Sequence, residues 1–310
     1  MDATADPTGP AHVVIGLDDS DSGQDALALG VRLAQATGAV PVVATAYPAS
    51  PSGAGHVDAE WAQALREQAE QLLARAREQL GPEVQARYEA IGSGSASHAL
   101  DALAEQLDAS VVVVGSGRGG PFRRTTVGST AERLLQGASV PVVVTPRGHR
   151  DRARPGLSSI GSAFIDAADA REALLAAARL AARASARVTA YSVVAPPAEF
   201  AQRGGRDAER AFTAAAREGF AAALDKAVAE VAATTGVPVT GELLEGDVVS
   251  ALAALDDRDL DLLVVGSRGY GPVRRVLLGG TSSRLVRSAS CPVMVVPRSA
   301  AGPLLQGAAT

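Results

Sequence analysis

The sequence VVGS at Val113–Ser116 occurs again at Val264–Ser267, 151 residues later in a chain of 310. The residues after each copy also repeat, because the Gly-Pro pair and two arginines of 120–124 recur at 271–275. A repeat of this length is a duplicated domain, since each copy is large enough to bury a core of its own, whereas a short solenoid repeat is not. The sequence therefore predicts two domains of about 150 residues each.

Each half alternates short runs rich in valine and leucine with longer amphipathic stretches, which is typical of an α/β fold with a parallel sheet. Apolar residues at spacings of three and four predict a helix from Trp61 to Leu80, and the same stripe recurs from Phe212 to Val231. Five strands are expected in each half, at residues 11–17, 40–46, 84–90, 111–114 and 142–145 and at residues 159–165, 186–194, 239–244, 262–265 and 293–296.

The predicted domains span residues 9–147 and 158–298. Residues 148–157 form the linker, and residues 299–310 are expected to be a disordered tail. The linker holds three arginines, which indicates a solvated connector. The alternative that this segment is an arm that binds nucleic acid stays open. The net charge of −5 argues against nucleic acid as a partner, because a phosphate backbone requires a basic surface.

Composition excludes several classes of function. Lys226 is the only lysine and has no Gly-Lys-Ser/Thr context, which excludes a Walker-type NTPase. One cysteine, Cys291, excludes an internal disulfide and indicates a reducing compartment. No signal peptide or membrane span is recognisable, so we predict a cytoplasmic protein without a membrane partner. The four histidines lack metal-ligand spacing and no nucleophile–base pair is visible, so we predict neither a metal site nor an enzyme.

The repeated loop follows the fourth predicted strand of each half and leads into a helix. At the carboxyl end of a parallel strand, a helix N-terminus offers free backbone N–H groups to an anion. Glycines there allow phosphate oxygens to approach those amides closely. Gly115-x-Gly117-x-x-Gly120 also matches a dinucleotide fingerprint, but it follows the fourth strand and is absent from the second half, so we predict no redox cofactor.

The spacing Gly266-x2-Gly269-x9-Gly279, together with the opening strand and aspartate of Val13–Asp18, resembles the universal stress protein family in its tandem form. The resemblance covers about residues 11–147 and 158–298. It implies two tandem Rossmann-like domains of flavodoxin-like strand order, each with a five-stranded parallel sheet between helices. Because many members of the family bind ATP at the strand ends, it also implies ATP bound there.

Carried over residue by residue, the resemblance implies an adenine nucleotide, ATP or AMP with or without Mg²⁺, held as a ligand in one or both domains. Asp18 would contact the adenosine end. The other implied nucleotide-binding residues are Ala46, Val114, Gly115, Gly128 and Ser129 in the first domain and Val193, Val265, Gly266, Gly269 and Gly279 in the second. The function implied is a non-catalytic sensor or regulator in a stress response.

Both halves depart from the family pattern. Arg118 stands at the second motif glycine of the first half, and Gly280 stands at the Ser/Thr position of the second. The counterpart of Asp18 is Ile165, with Asp166 one residue later, and a slip of one residue turns a strand side chain to the other face. These departures leave an alternative open, an interaction scaffold of the same fold with decayed sites. Slow ATP hydrolysis and a merely capping role for Asp18 also stay open.

The last strand of each half is short and apolar, at 140–145 and 292–296, and an exposed apolar edge of this kind favours pairing. The resemblance implies the same edge as the family's dimer contact. We therefore expect the two halves to pair within the chain as a pseudo-dimer. A homodimer of two chains is a further possibility that the sequence leaves open.

Overall fold

One ten-stranded sheet runs through both halves of the chain. The computed structural model describes residues 11–49, 56–117, 128–151, 155–195, 206–255, 260–267, 279–297 and 303–305. The strands are β1 (His12–Gly16), β2 (Val40–Tyr47), β3 (Arg87–Gly92), β4 (Val111–Gly115), β5 (Val142–Thr145), β6 (Ser159–Ala163), β7 (Arg187–Val194), β8 (Val239–Glu245), β9 (Leu262–Gly266) and β10 (Val293–Val296). The helices are α1 (Asp21–Thr37), α2 (His56–Leu80), α3 (Ala96–Gln106), α4 (Ser129–Gly137), α5 (Ala168–Ala184), α6 (Arg206–Thr235), α7 (Val248–Ala253) and α8 (Gly280–Ser288).

The strand order is β3-β2-β1-β4-β5-β10-β9-β6-β7-β8, so each half contributes five strands in the same relative order. All pairings within a half are parallel, which confirms the predicted fold class. The two halves meet through β5 and β10, which pair antiparallel with Met294 opposite Val143. The expected pairing of the two last strands within the chain is therefore present.

Two apolar cores lie on opposite faces of this sheet, and each extends across both halves. Successive residues of a strand point to opposite faces, so Val113 of β4 packs in one core while Val112 and Val114 pack in the other. Helices α1, α2, α5 and α6 cover the first face, and α3, α4, α7 and α8 cover the second. A parallel sheet covered on both faces explains why its strands are almost continuous runs of valine and leucine.

The third strand begins later than the sequence predicted. β3 starts at Arg87, whereas a start at Val84 was expected. The amide of Val84 instead donates to the carbonyl of Gly81, where the chain turns after α2. Gly81 has a φ of +71°, so this turn uses the freedom of glycine to end the helix.

Part of the predicted disordered tail is docked on the protein. Leu304 and Leu305 are buried to 1% and 2% exposure and belong to the core that both halves share. The amide of Leu304 donates to the Oγ of Ser110 at 2.9 Å, and Arg179 of α5 donates to the carbonyl of Leu305 at 2.7 Å. The expectation of disorder is wrong for residues 303–305, because two leucines and their backbone groups find partners in both domains.

A buried polar cluster joins the two halves on the same side of the sheet as these two leucines. Arg32 of α1 reaches the carboxylate of Asp261, which precedes β9, at 3.6 Å, and also contacts Nε2 of His149 in the linker at 3.2 Å. Burial lowers the pKa of Arg32, and the nearby Asp261 carboxylate opposes that shift. Asp261 also accepts hydrogen bonds from the amides of Ser158 and Ser159. The cluster therefore ties the first helix of one domain to the first strand of the other.

Candidate functional site

A cavity of about 510 Å³ opens at the carboxyl ends of β1, β2 and β4 in the first domain. It lies where the strand order reverses between β1 and β4, which is the usual ligand position in an open parallel sheet. All six nucleotide-binding residues implied for this domain line the cavity, namely Asp18, Ala46, Val114, Gly115, Gly128 and Ser129. The structure thus brings together residues from four separate segments of the chain.

Asp18 lines the cavity, and its side chain is exposed. Ser20, the N-cap of α1, accepts a hydrogen bond from the amide of Gly23 at 3.2 Å and donates its hydroxyl proton to Oδ1 of Asp18. Asp18 is therefore held by the helix start rather than capping it, and its second carboxylate oxygen, Oδ2, has no hydrogen-bond partner among the described residues.

The glycines of the site are required by close approach. A Cβ on Gly115 would clash with the backbone of Ser22, and a Cβ on Gly128 would lie 3.0 Å from the Cα of Gly117. Gly115 therefore lets the end of β4 approach the first turn of α1, and Gly128 lets the start of α4 approach the loop after β4.

Helix α4, with Gly128 as its N-cap, begins beside the cavity without a side-chain cap from the described residues. Among the described residues, the first amide of this helix start with a backbone acceptor is that of Glu132, which donates to the carbonyl of Gly128. The amides of Ser129, Thr130 and Ala131 precede it, and these three residues line the cavity. Uncapped N–H groups at the positive end of a helix form a binding site for an anion such as phosphate.

Ser116 is a cavity residue that the sequence reasoning missed. It is 2% exposed, and its Oγ has no hydrogen-bond partner among the described residues. A buried hydroxyl without a partner costs free energy, so an acceptor from a ligand would relieve it. The repeated VVGS sequence contained the signal, since the serine recurs as Ser267 along with the glycine.

Replacing Gly115 by alanine is expected to lower the free energy of unfolding by about 1–3 kcal/mol, because the new methyl group overlaps the backbone of Ser22. Urea denaturation followed by circular dichroism measures this loss. Gly137→Ala is the matched control, since a Cβ there meets nothing within 4 Å and the variant should be as stable as the original or slightly more so. Equal stability of the two variants would contradict the close approach.

A second cavity, of about 320 Å³, occupies the equivalent place in the second domain. Val193, Val265 and Gly266 line it as the resemblance implies, and Gly279 is the N-cap of α8 beside it. The matched backbone bonds of Ser20 to Asp18 and of Ala167 to Ile165 make Ile165 the structural counterpart of Asp18. Asp166 is bonded to Arg171 at 2.6 Å and does not line the cavity.

Some residues singled out in the sequence lie outside the described residues, namely Gly269, Arg118 and the arginine pairs at 123–124 and 274–275. In the part of the chain that the structure describes, no three His, Cys, Asp or Glu side chains are grouped so that they could hold a metal ion. None of its described helices combines the length and the apolar character that crossing a membrane requires.

Comparison with known proteins assigns the chain to a family. The family model described as "Universal stress protein family" matches residues 11–146 and 163–297, which is most of the chain and both sets of strand-end residues. The chain belongs to the universal stress protein family. Universal stress protein Rv2319c of Mycobacterium tuberculosis is 30% identical over 301 residues, covering 92% of this chain and 99% of the relative. Universal stress protein Mb2346c of Mycobacterium bovis is similar to the same extent.

Solved structures agree on the fold of this universal stress protein. A universal stress protein from Archaeoglobus fulgidus superimposes with a TM-score of 0.67 at 19% identity, covering 93% of this chain and 98% of that one. A putative universal stress protein from Pseudomonas aeruginosa superimposes with a TM-score of 0.59 at 16% identity, covering 94% and 95%. Both superpositions therefore extend over nearly the whole of each chain.

Proposed function

We propose that this universal stress protein binds one adenine nucleotide, ATP or AMP, in the cavity of its first domain and acts in the cytoplasm as a non-catalytic sensor. The observation that carries the proposal is that a carboxylate and free backbone amides line the same cavity. Asp18 lines it, and so do Ser129, Thr130 and Ala131 at a helix start that has no side-chain cap from the described residues. A nucleotide offers matching groups, with ribose hydroxyls that donate hydrogen bonds and phosphate oxygens that accept them.

The other residues that line the cavity suit the rest of the ligand. Ala46 and Val114 form apolar walls against which a base would pack, and Ala44 and Leu100 extend that surface. The volume of about 510 Å³ lies within the range of roughly 300–1,000 Å³ typical of small-molecule sites. Asp18 is the only titratable side chain among the described lining residues, which favours binding over acid–base catalysis.

Asp18→Ala is expected to weaken ATP binding by about ten- to a hundredfold, since a hydrogen bond to a charged group contributes about 1.5–3 kcal/mol. Isothermal titration calorimetry with ATP, in the presence and absence of Mg²⁺, measures the affinity and the number of sites. We expect one site of this affinity per chain.

Asp166→Ala is the matched control, because Asp166 is an exposed carboxylate beside the equivalent position of the second domain and lines neither cavity. This variant should bind ATP as the original does. Absence of any heat down to millimolar affinity in the original protein would refute the proposal, and so would equal binding by Asp18→Ala.

The second candidate is an interaction scaffold of the same fold, and the loss of the Asp18 carboxylate at Ile165 favours it for the second domain. Native mass spectrometry of freshly purified protein separates the two. A co-purified adenine nucleotide supports the sensor, whereas a bare chain that also fails to take up added ATP supports the scaffold.

A further inference from the structure

The second cavity keeps the helix start at which the first domain offers backbone amides. Gly279 is the N-cap of α8 and, like Gly128, gives its helix no side-chain cap from the described residues. Among the described residues, the first amide here with a backbone acceptor is that of Ser283, which donates to the carbonyl of Gly279. Thr281 lines the second cavity as its counterpart Thr130 lines the first. The N–H groups at the start of α8 therefore offer a second place for an anion.

A buried hydroxyl lies directly after β9, the strand that ends at this cavity. Ser267 is 1% exposed, and its Oγ has no hydrogen-bond partner among the described residues. Its amide donates to the carbonyl of Val296, just as the amide of Ser116 donates to Thr145 in the first domain. Side chains two residues apart on a strand point to the same face, and Val265 lines the cavity. Ser267 is therefore a buried donor on the cavity side of the sheet, and an anionic ligand would satisfy it.

Away from the helix start, the second cavity is apolar where the first is polar or small. Ile165 takes the place of Asp18, and it lines the cavity although it is 61% exposed. Val248 begins α7 as Ala96 begins α3, and each of the two lines its own cavity. Phe220 of α6 adds a partly exposed side chain to the lining. These side chains leave apolar surface in contact with water, and burying it against an apolar ligand is favourable.

Asp169 is the one acidic residue among the described residues that line this cavity. It lies in the first turn of α5, where the N-terminus of that helix stabilises a carboxylate. Its backbone carbonyl packs against Gly266, since a Cβ on this glycine would lie 2.7 Å from the carbonyl oxygen. The charge of Asp169 is therefore accommodated by its own helix, whereas the amides for an anion belong to α8.

We propose that the second cavity binds a phosphate monoester whose organic part is apolar and carries no hydroxyl groups, such as the phosphate of a short aliphatic alcohol. The amides at the start of α8 and the Ser267 hydroxyl donate to the phosphate, and Ile165 and Phe220 pack against the hydrocarbon. A sugar would place hydroxyls beside Ile165 instead of a carboxylate like Asp18, and it would lose hydrogen bonds to water there. The site does not rest on nucleotide binding by the first domain.

Hexyl phosphate is the probe, and it is titrated calorimetrically into the full-length protein alongside ribose 5-phosphate and 1-hexanol. Hexanol lacks the anion, and ribose 5-phosphate carries a hydroxylated sugar in place of the hydrocarbon. We expect one Ile165-dependent site per chain, at which hexyl phosphate binds at least about tenfold more tightly than either of the other two compounds. Titration with and without saturating ATP should give the same result at this site.

Ile165→Asn identifies where the probe binds, because it replaces the apolar side chain by an uncharged polar one. It should weaken hexyl phosphate binding by at least about fivefold. Ile165→Leu is the matched control and should bind hexyl phosphate as the original protein does. The position is exposed, so both variants are expected to fold. The proposal is overturned if hexyl phosphate does not bind, if hexanol or ribose 5-phosphate binds as tightly, or if the two variants have equal affinity for hexyl phosphate.

Discussion

Replacing Leu304 and Leu305 together by alanine is expected to lower the free energy of unfolding by at least about 4 kcal/mol. Each leucine is almost completely buried in the core that both domains share, and removing a buried leucine side chain typically costs about 2–5 kcal/mol. Domains of this kind are stable by only about 5–15 kcal/mol, so the loss is a large part of the total. Urea denaturation followed by circular dichroism measures it.

The control for this prediction is the double variant Leu304→Met and Leu305→Met. Methionine conserves most of the volume, so each change should cost less than about 1.5 kcal/mol. If the alanine variant is as stable as the methionine variant, these leucines are not part of the core in solution, and the segment behaves as the disordered tail that the sequence suggested.

Replacing Asp261 by alanine is expected to lower the free energy of unfolding by about 3–5 kcal/mol, because it removes one partner of a buried ion pair. The side chains of Arg32 and Asp261 are only 10% and 6% exposed, so solvent screens their interaction little. The change also removes the hydrogen-bond acceptor of the backbone amides of Ser158 and Ser159. The free energy of unfolding by urea is again the measurement, and Asp261→Asn should lose less since it keeps one oxygen for those amides.

Asp101→Ala is the matched control for this second prediction. Asp101 accepts hydrogen bonds from the amide and the hydroxyl of Ser139, at 3.1 and 3.3 Å, but pairs with no cation among the described residues. Its replacement should cost about 1–2 kcal/mol, as expected for one or two hydrogen bonds. Equal losses in the two alanine variants would show that the contact with Arg32 adds nothing to the stability.

The sequence predicted the features that local pattern and repetition determine. Nine of the ten strands lie within about two residues of their expected starts, because valine-rich runs between helical stripes leave few alternatives. The predicted start of β3 was wrong because a turn at Gly81 determines where the strand can begin. The repeat also placed Gly115 and Gly128 at the end of one strand and the start of the next helix, which the structure brings into one cavity.

Features that depend on long-range packing were not predictable in the same way. The exchange of Ala44 for Tyr191 alters the second cavity, and the strand register confirms that these two residues are equivalent. Arg32 and Asp261 meet because β5 and β10 pair, and nothing near either residue in the sequence indicates it. The sequence did contain a signal for the docking of residues 303–305, since Leu304-Leu305 is an apolar pair in a stretch of small residues.

The antiparallel contact of β5 with β10 has a consequence for how the two cavities are used. In an assembly of separate subunits, dilution separates the partners, whereas two halves of one polypeptide stay at a high effective concentration near each other. The stoichiometry of the two unlike cavities is therefore fixed at one to one at any expression level. Only the outermost strands, β3 and β8, keep an unpaired edge in the described sheet, so any additional copy would have to attach elsewhere than at the centre.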